Sequence, residues 1–192
     1  MKQILLIGAG GHCKSCIDVI EHLDKLEIAG VVTQMKEDIS EFMGYPVIGS
    51  DEDLGALRTK FENAFIGIGQ INTPLPRLRI YQKLKELEFN LPSIVSPLAY
   101  VSEHAHVGEG TIVMHDAMIN AGAIVNEGCI INSKSLLEHD AEIESFCHIS
   151  TGAIINGSAV VGENSFIGSN ATVVNGVTVT AGTFVKAGSI VA

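Results

Sequence analysis

The stretch from Ile149 to Ile167, ISTGAIINGSAVVGENSFI, decides how the second half of this chain folds. An aliphatic residue returns at Ile149, Ile155, Val161 and Ile167, and a small one, Ala153, Ala159 or Ser165, stands four places after each of the first three. A spacing of six is neither the roughly 3.6-residue period of a helix nor the plain alternation of a hairpin. Outward from this stretch the pattern is unbroken. Stepping by six from Val101 to Val191 meets sixteen positions, all Val, Ile or Leu, while the companion position from Ala105 to Ser189 holds nothing larger than Val.

Each hexad therefore predicts one short strand whose aliphatic residue points inward and whose small residue lets the chain bend towards the next face. Glycines 110, 122, 128, 152, 176, 182 and 188 share one repeat position, which predicts a turn corner with positive φ. Three faces would close one coil, and with coils stacked at the strand spacing of ~4.8 Å residues 101–192 make about five of them. Burial alone accounts for such a repeat, so it specifies a fold and not an activity.

Upstream the grammar differs. Lys2 to Ile7 reads as a strand, Gly8 to Gly11 as a tight loop, His12 to Leu26 as a helix and Ile28 to Val32 as a second strand, a βαβ opening. Tyr45 to Gly49 follows as a strand, Asp51 to Leu57 as a capped helix, Ala64 to Gly69 as a buried strand and Arg77 to Glu88 as a charged amphipathic helix. This is about half of a doubly wound, Rossmann-like α/β fold. The boundary falls near residues 89–93, giving domains 1–92 and 93–192.

Composition narrows the function. Of 192 residues 46% are hydrophobic, yet there are three Tyr, seven Phe and no Trp, so the cores must be built from Ile, Val, Leu and Ala. A formal charge of -10 speaks against nucleic acid and anionic membrane surfaces as partners, which need a basic face. It does not exclude small anions held by backbone N–H groups. No apolar run is long enough for membrane insertion, no signal peptide precedes the first strand, and the four cysteines show neither a disulfide framework nor metal spacing. We expect a reduced, cytoplasmic protein with no metal. Cys13 and Cys16 form a lone C-x-x-C, read as two small helix residues.

The repeat region resembles the left-handed parallel β-helix of hexapeptide-repeat acyltransferases, and the resemblance supplies the hand. With the opening Ile7-Gly8-Ala9-Gly10-Gly11-His12, the element Pro46-Val47-Ile48-Gly49 and the entry Ile94-Val95-Ser96-Pro97, the whole chain resembles a narrower group. These are the sialic acid O-acetyltransferases and the bacillosamine, perosamine or viosamine N-acetyltransferases. The resemblance implies a homotrimer that binds acetyl-CoA between neighbouring β-helices, with sites between subunits. It implies direct acetyl transfer to a nucleotide-linked amino sugar, at the 4-amino group of an amino-dideoxy sugar. Sialic acid O-acetylation is the rival among enzymes, and a non-catalytic hexapeptide scaffold the rival from another class. Relatives continue past the last coil with a capping segment, where this sequence ends at Val191-Ala192.

Within the repeat, Asn132-Ser133-Lys134-Ser135-Leu136-Leu137-Glu138-His139-Asp140 interrupts the bland filler. The resemblance makes His139 the catalytic base, Asp140 the acid that orients it, Asn132 a contact to the acceptor, and His148 and Gly157 contacts to acetyl-CoA. The chemistry is coherent on its own terms. An amine attacking a thioester must shed a proton, an imidazole can accept it, and a flanking carboxylate would stabilise the resulting imidazolium. His104, His106 and His115 read as surface residues of the early coils. Lys134 and Lys186 are the only basic residues from Val101 to Ala192, against nine carboxylates, and Lys186 is assigned to the CoA phosphates.

The loop Gly8-Ala9-Gly10-Gly11-His12 begins like a dinucleotide fingerprint, but Cys13 stands where its last glycine belongs, and Thr33-Gln34 stand where an acidic residue should follow the second strand. NAD is therefore not expected. The resemblance instead makes the helix start a contact for the nucleotide of the substrate, with Gly10, His12, Gly69 and Gln70 on that surface.

Overall fold

Strand β1 (Lys2–Ile7) runs buried from Ile4 onward and sits between β2 (Leu26–Val32) and β5 (Asn63–Ile66), parallel to both. Strand β4 (Tyr45–Gly49) extends the sheet parallel to β2, and β3 (Glu41–Phe42), which the sequence reading does not contain, pairs antiparallel with β4 at the edge. The order is β3-β4-β2-β1-β5. This computed structural model describes residues 1–34 and 39–192. They form two compact units, one of Met1–Gly69 and Leu75–Pro92, the other of Gln70–Pro74 and Ser93–Ala192.

Helix α1 (Gly11–Glu21) is shorter than the span to Leu26 expected from sequence. The imidazole Nδ1 of His22 donates to the Asp18 carbonyl at 2.7 Å, taking the acceptor that the next turn of helix would use, and Leu26 is drawn into register with Lys2. The expected helix from Asp51 resolves into a 3₁₀ turn, Asp51–Asp53, followed by α2 (Leu54–Arg58). Asp53 Oδ2 accepts from the Ser50 N–H at 2.8 Å and from Ser50 Oγ at 3.0 Å, which fixes that start. Helix α3 (Leu75–Glu86) begins two residues earlier than expected.

One member of α3 departs from the amphipathic reading. Arg77 is fully buried, and its Nη1 donates to the carbonyls of Ile66 at 3.1 Å and Ile68 at 2.6 Å. A guanidinium thus satisfies backbone acceptors at and just past the end of β5, which explains why that strand stops at Ile66 and not at Gly69.

The second unit is the predicted solenoid. Two-residue strands stack into three parallel sheets of six, five and six strands. Met118 pairs with Leu136 and Leu136 with Ile154, so one coil is eighteen residues, three hexads. The six-residue series fills the interior, with Val113 through Val185 buried and Val101, Val107 and Val191 partly covered at the two ends. The small positions pack beside them, among them Ala117, Cys129, Ala153 and Ala171, all at most 1% exposed.

All seven repeat glycines do have positive φ, between 64° and 76°. The same corner position elsewhere holds Asp116, Lys134, Asp140, Phe146, Ser158, Asn164 and Asn170, with φ between 54° and 61°. The fold therefore takes a left-handed residue at each corner from Gly110 to Gly188 whatever the side chain, and the ladder of coils over-determines it.

Candidate active site

Two of those corners carry the candidate chemistry. His139 Nδ1 lies 2.9 Å from Asp140 Oδ2, and both side chains are well exposed. An ionised carboxylate only accepts, so Nδ1 carries a proton, and in the neutral imidazole Nε2 keeps its lone pair. Both members lie over glycines one coil away. A Cβ at Gly157 would sit 2.7 Å from Cε1 and Nε2 of His139, and one at Gly122 would collide with the Asp140 carboxylate. The left-handed turn at Asp140, φ 59°, swings its carboxylate back towards the preceding imidazole. Beside them, Glu138 Oε2 accepts from Asn120 Nδ2 at 2.8 Å.

His148 occupies a different face. It is 7% exposed, stands in register between Ile130 and Phe166, and meets the Phe166 ring edge to face at 5.1 Å, with Phe184 stacked on Phe166 at 4.9 Å. Its Nδ1 donates to the Gln70 carbonyl at 2.5 Å. Asn132 Oδ1 accepts from the Ser133 N–H at 2.8 Å, which turns Nδ2 towards His148 Nε2 at 3.1 Å. In the neutral ring these partners place the proton on Nδ1 and leave Nε2 to accept.

Gln70 lies against the same corner. Its side chain, 3% exposed, donates from Nε2 to the Phe146 carbonyl at 2.6 Å, so both its backbone and its amide grip the corner that carries Phe146 and His148. Phe146, a bulky residue at φ 56°, packs its ring over Gly128. No sequence signal marks this clasp, since 78 residues separate Gln70 from His148.

His115, expected at the surface, is drawn partly inward. It is half-buried, with Nδ1 2.6 Å from Ser96 Oγ, and that oxygen also accepts from the Leu98 N–H at 3.0 Å. His104 and His106 are exposed, as is Lys186 next to the buried Val185.

In the α/β unit, Gly10 caps α1 with extended backbone, and the space where a Cβ would stand at Gly10 or Gly11 is open. The first N–H groups of α1 thus begin at an uncrowded glycine pair, the arrangement that suits an anionic group. Gly69 lies against His12, where a Cβ would come within 3.2 Å of the His12 Cβ. Cys13 packs on Gly67, and burial pushes its thiol up to about 12, so the C-x-x-C is an inert pair of core residues. Gln34 Nε2 donates to Asp51 Oδ2 at 3.0 Å, so a carboxylate from the turn after β4 reaches the residue just past the end of β2.

A solenoid of three parallel sheets bearing a carboxylate-held imidazole on one corner, joined to a half-Rossmann unit, defines the class: a left-handed β-helix protein of the hexapeptide-repeat type. Comparison with known proteins supports the same class. The PglD N-terminal domain family matches residues 3–84. A histidine-to-asparagine mutant of perosamine N-acetyltransferase from Caulobacter crescentus, solved with CoA and GDP-perosamine, is 30% identical, with all of this chain and 89% of that chain covered and a TM-score of 0.93. The acetyltransferase domain of PglB from Neisseria gonorrhoeae FA1090 is 29% identical, with 100% and 92% covered and a TM-score of 0.90. The same domain in complex with acetyl coenzyme A gives 29%, 99% and 92%, and 0.89. No curated protein matches the chain. The chain belongs to the hexapeptide-repeat sugar N-acetyltransferase family. Among the described residues no helix is long and apolar enough to cross a membrane.

Proposed function

We propose that this protein transfers the acetyl group of acetyl-CoA to the 4-amino group of a nucleotide-linked amino-dideoxy sugar, with His139 as general base. The observation that carries the reading is the His139–Asp140 couple, 2.9 Å apart, in a chain 30% identical along its whole length to an enzyme solved with CoA and GDP-perosamine. The α/β unit takes the nucleotide, through Gly10 and the N–H groups that open α1, with His12 and Gly69 beside them. The β-helix takes acetyl-CoA, with His148 and Gly157 towards the acetyl end and Lys186 towards the phosphates. The working form is a cytoplasmic homotrimer with sites between subunits.

In this mechanism the amine nitrogen attacks the thioester carbon while its proton passes to His139 Nε2, and Asp140 stabilises the imidazolium that forms. Asn132 faces the acceptor from beside His148. Gln70, clamped to Phe146 and His148, serves by fixing the neutral ring of His148. The test supplies acetyl-CoA with a panel of nucleotide-linked amino sugars and free sialic acids and follows thiol release. Release with a nucleotide amino sugar, and its loss in His139→Ala, is expected. Release with no acceptor, or only with sialic acid, overturns the proposal, and full turnover by His139→Ala removes the base.

A further inference from the structure

Positions 139, 157 and 175 lie one coil apart in the same corner column, and the backbone ladder fixes the step: the Ser158 N–H donates to the His139 carbonyl at 3.1 Å and the Gly176 N–H to the Gly157 carbonyl at 3.0 Å. The middle member has no side chain. The point its Cβ would occupy lies 2.7 Å from Nε2 of His139 and 3.2 Å from Nδ2 of Asn175. The imidazole edge and the Asn175 amide nitrogen, from the two outer coils, therefore come to one point above the bare Gly157 backbone. The first offers a lone pair, because the His139 proton is on Nδ1 towards Asp140. The other is an N–H donor on an exposed side chain.

A proton acceptor and a neutral N–H donor brought beside one point are two groups that acyl transfer uses, one for the amine proton and one for the thioester oxygen. Neutrality matters at this corner, where Asp140 and Glu138 are both acidic. A lysine would be drawn into an ion pair with them, whereas an amide stays available to a carbonyl oxygen.

We infer that Asn175 is a further residue of the transfer site, donating its amide N–H to the oxygen of the acetyl thioester beside the His139 imidazole. The inference rests on the function proposed above. As the amine nitrogen bonds to the carbonyl carbon, the π pair moves onto the oxygen and is met by the Asn175 N–H, while the amine proton goes to Nε2. Collapse of the oxyanion breaks the C–S bond, and the departing thiolate takes the proton from the imidazolium, giving the amide and CoA thiol. Asn175 stabilises charge that grows in the transition state, so its effect falls on kcat more than on KM.

Calorimetric titration with acetyl-CoA and, separately, CoA is the first arm of the test, on wild type and Asn175→Ala. The wild type prefers acetyl-CoA, and the variant loses that preference while CoA binds as before. Thiol release is the second arm, with kcat lowered by about tenfold to a hundredfold and the acid limb of the pH profile unmoved, because His139 and Asp140 are intact. Wild-type kcat and an unchanged preference for acetyl-CoA in Asn175→Ala overturn the inference. So does loss of binding to both ligands together with a lowered melting temperature, which makes the residue structural. A wild type that binds neither ligand defeats the proposed function itself, a result visible before any variant is made.

Discussion

The imidazole of His139 lies across Gly157, one coil further along the solenoid, so closely that a methyl group at position 157 would stand 2.7 Å from both Cε1 and Nε2. A histidine side chain has only two rotatable bonds. With Asp140 holding Nδ1 on one side and the bare backbone of Gly157 beneath, little freedom is left to the ring.

Gly157→Ala is therefore expected to push the ring away from its place while leaving the solenoid folded, since Gly157 lies outside the set of left-handed corners. We expect kcat for thiol release to fall at least about tenfold with a near-native melting temperature. Native kcat in Gly157→Ala would show that the ring has room to spare.

Asp140→Asn keeps a residue that tolerates the left-handed turn at φ 59° but removes the charge. Its amide can present either a donor or an acceptor to Nδ1, so the proton is no longer confined there and no carboxylate meets the imidazolium. A kcat loss of about a hundredfold is expected. The melting temperature should hardly move, because the pair is exposed and such pairs add little stability.

Asn132→Asp tests the tautomer of His148. Nδ2 of Asn132 now faces Nε2 at 3.1 Å, and an oxygen there would repel the lone pair unless the ring took up a second proton. Nitrogen NMR of labelled histidine should report Nδ1 protonated and Nε2 bare in wild type, and both protonated in Asn132→Asp. Protonation at Nε2 alone in the wild type would contradict the assignment.

The buried thiols predict an alkaline limit. Cys13 is raised from 9.0 to about 12 by burial, so the folded chain keeps a proton that the unfolded chain releases. Its contribution is fully present below pH 9 and is lost as pH rises from there towards 12, by up to about 1.4 kcal/mol per pH unit. Denaturant midpoints measured from pH 8 to 11 should stay level at first and then decline, and Cys13→Ala should make that decline shallower.

The solenoid was almost wholly legible, because a parallel coil repeats one environment and the same chemistry must recur at every sixth residue from Val101 to Val191. The βαβ opening was legible from its apolar runs and glycine loop, although the end of α1 was misplaced where the His22 side chain captured a backbone carbonyl, and the end of β5 where Arg77 did. Within the candidate site, His139 and Asp140 are chain neighbours, so their pairing could be anticipated. The partners of His148 could not.

What the sequence by itself determined is the periodic interior, the coil and the corner that carries His139 and Asp140, since each follows from local pattern or from adjacency. Only the tertiary structure decided that Gly157 makes room for the imidazole, that the Asn175 amide comes to the same point, and that Gln70 and Asn132 place the proton of His148. Those relations depend on which side chains a coil of eighteen residues brings into register, and on a segment closing over the solenoid from 78 positions away. Hydrogen bonds have direction and a range of about 3 Å, and a one-dimensional pattern of polar and apolar residues carries neither.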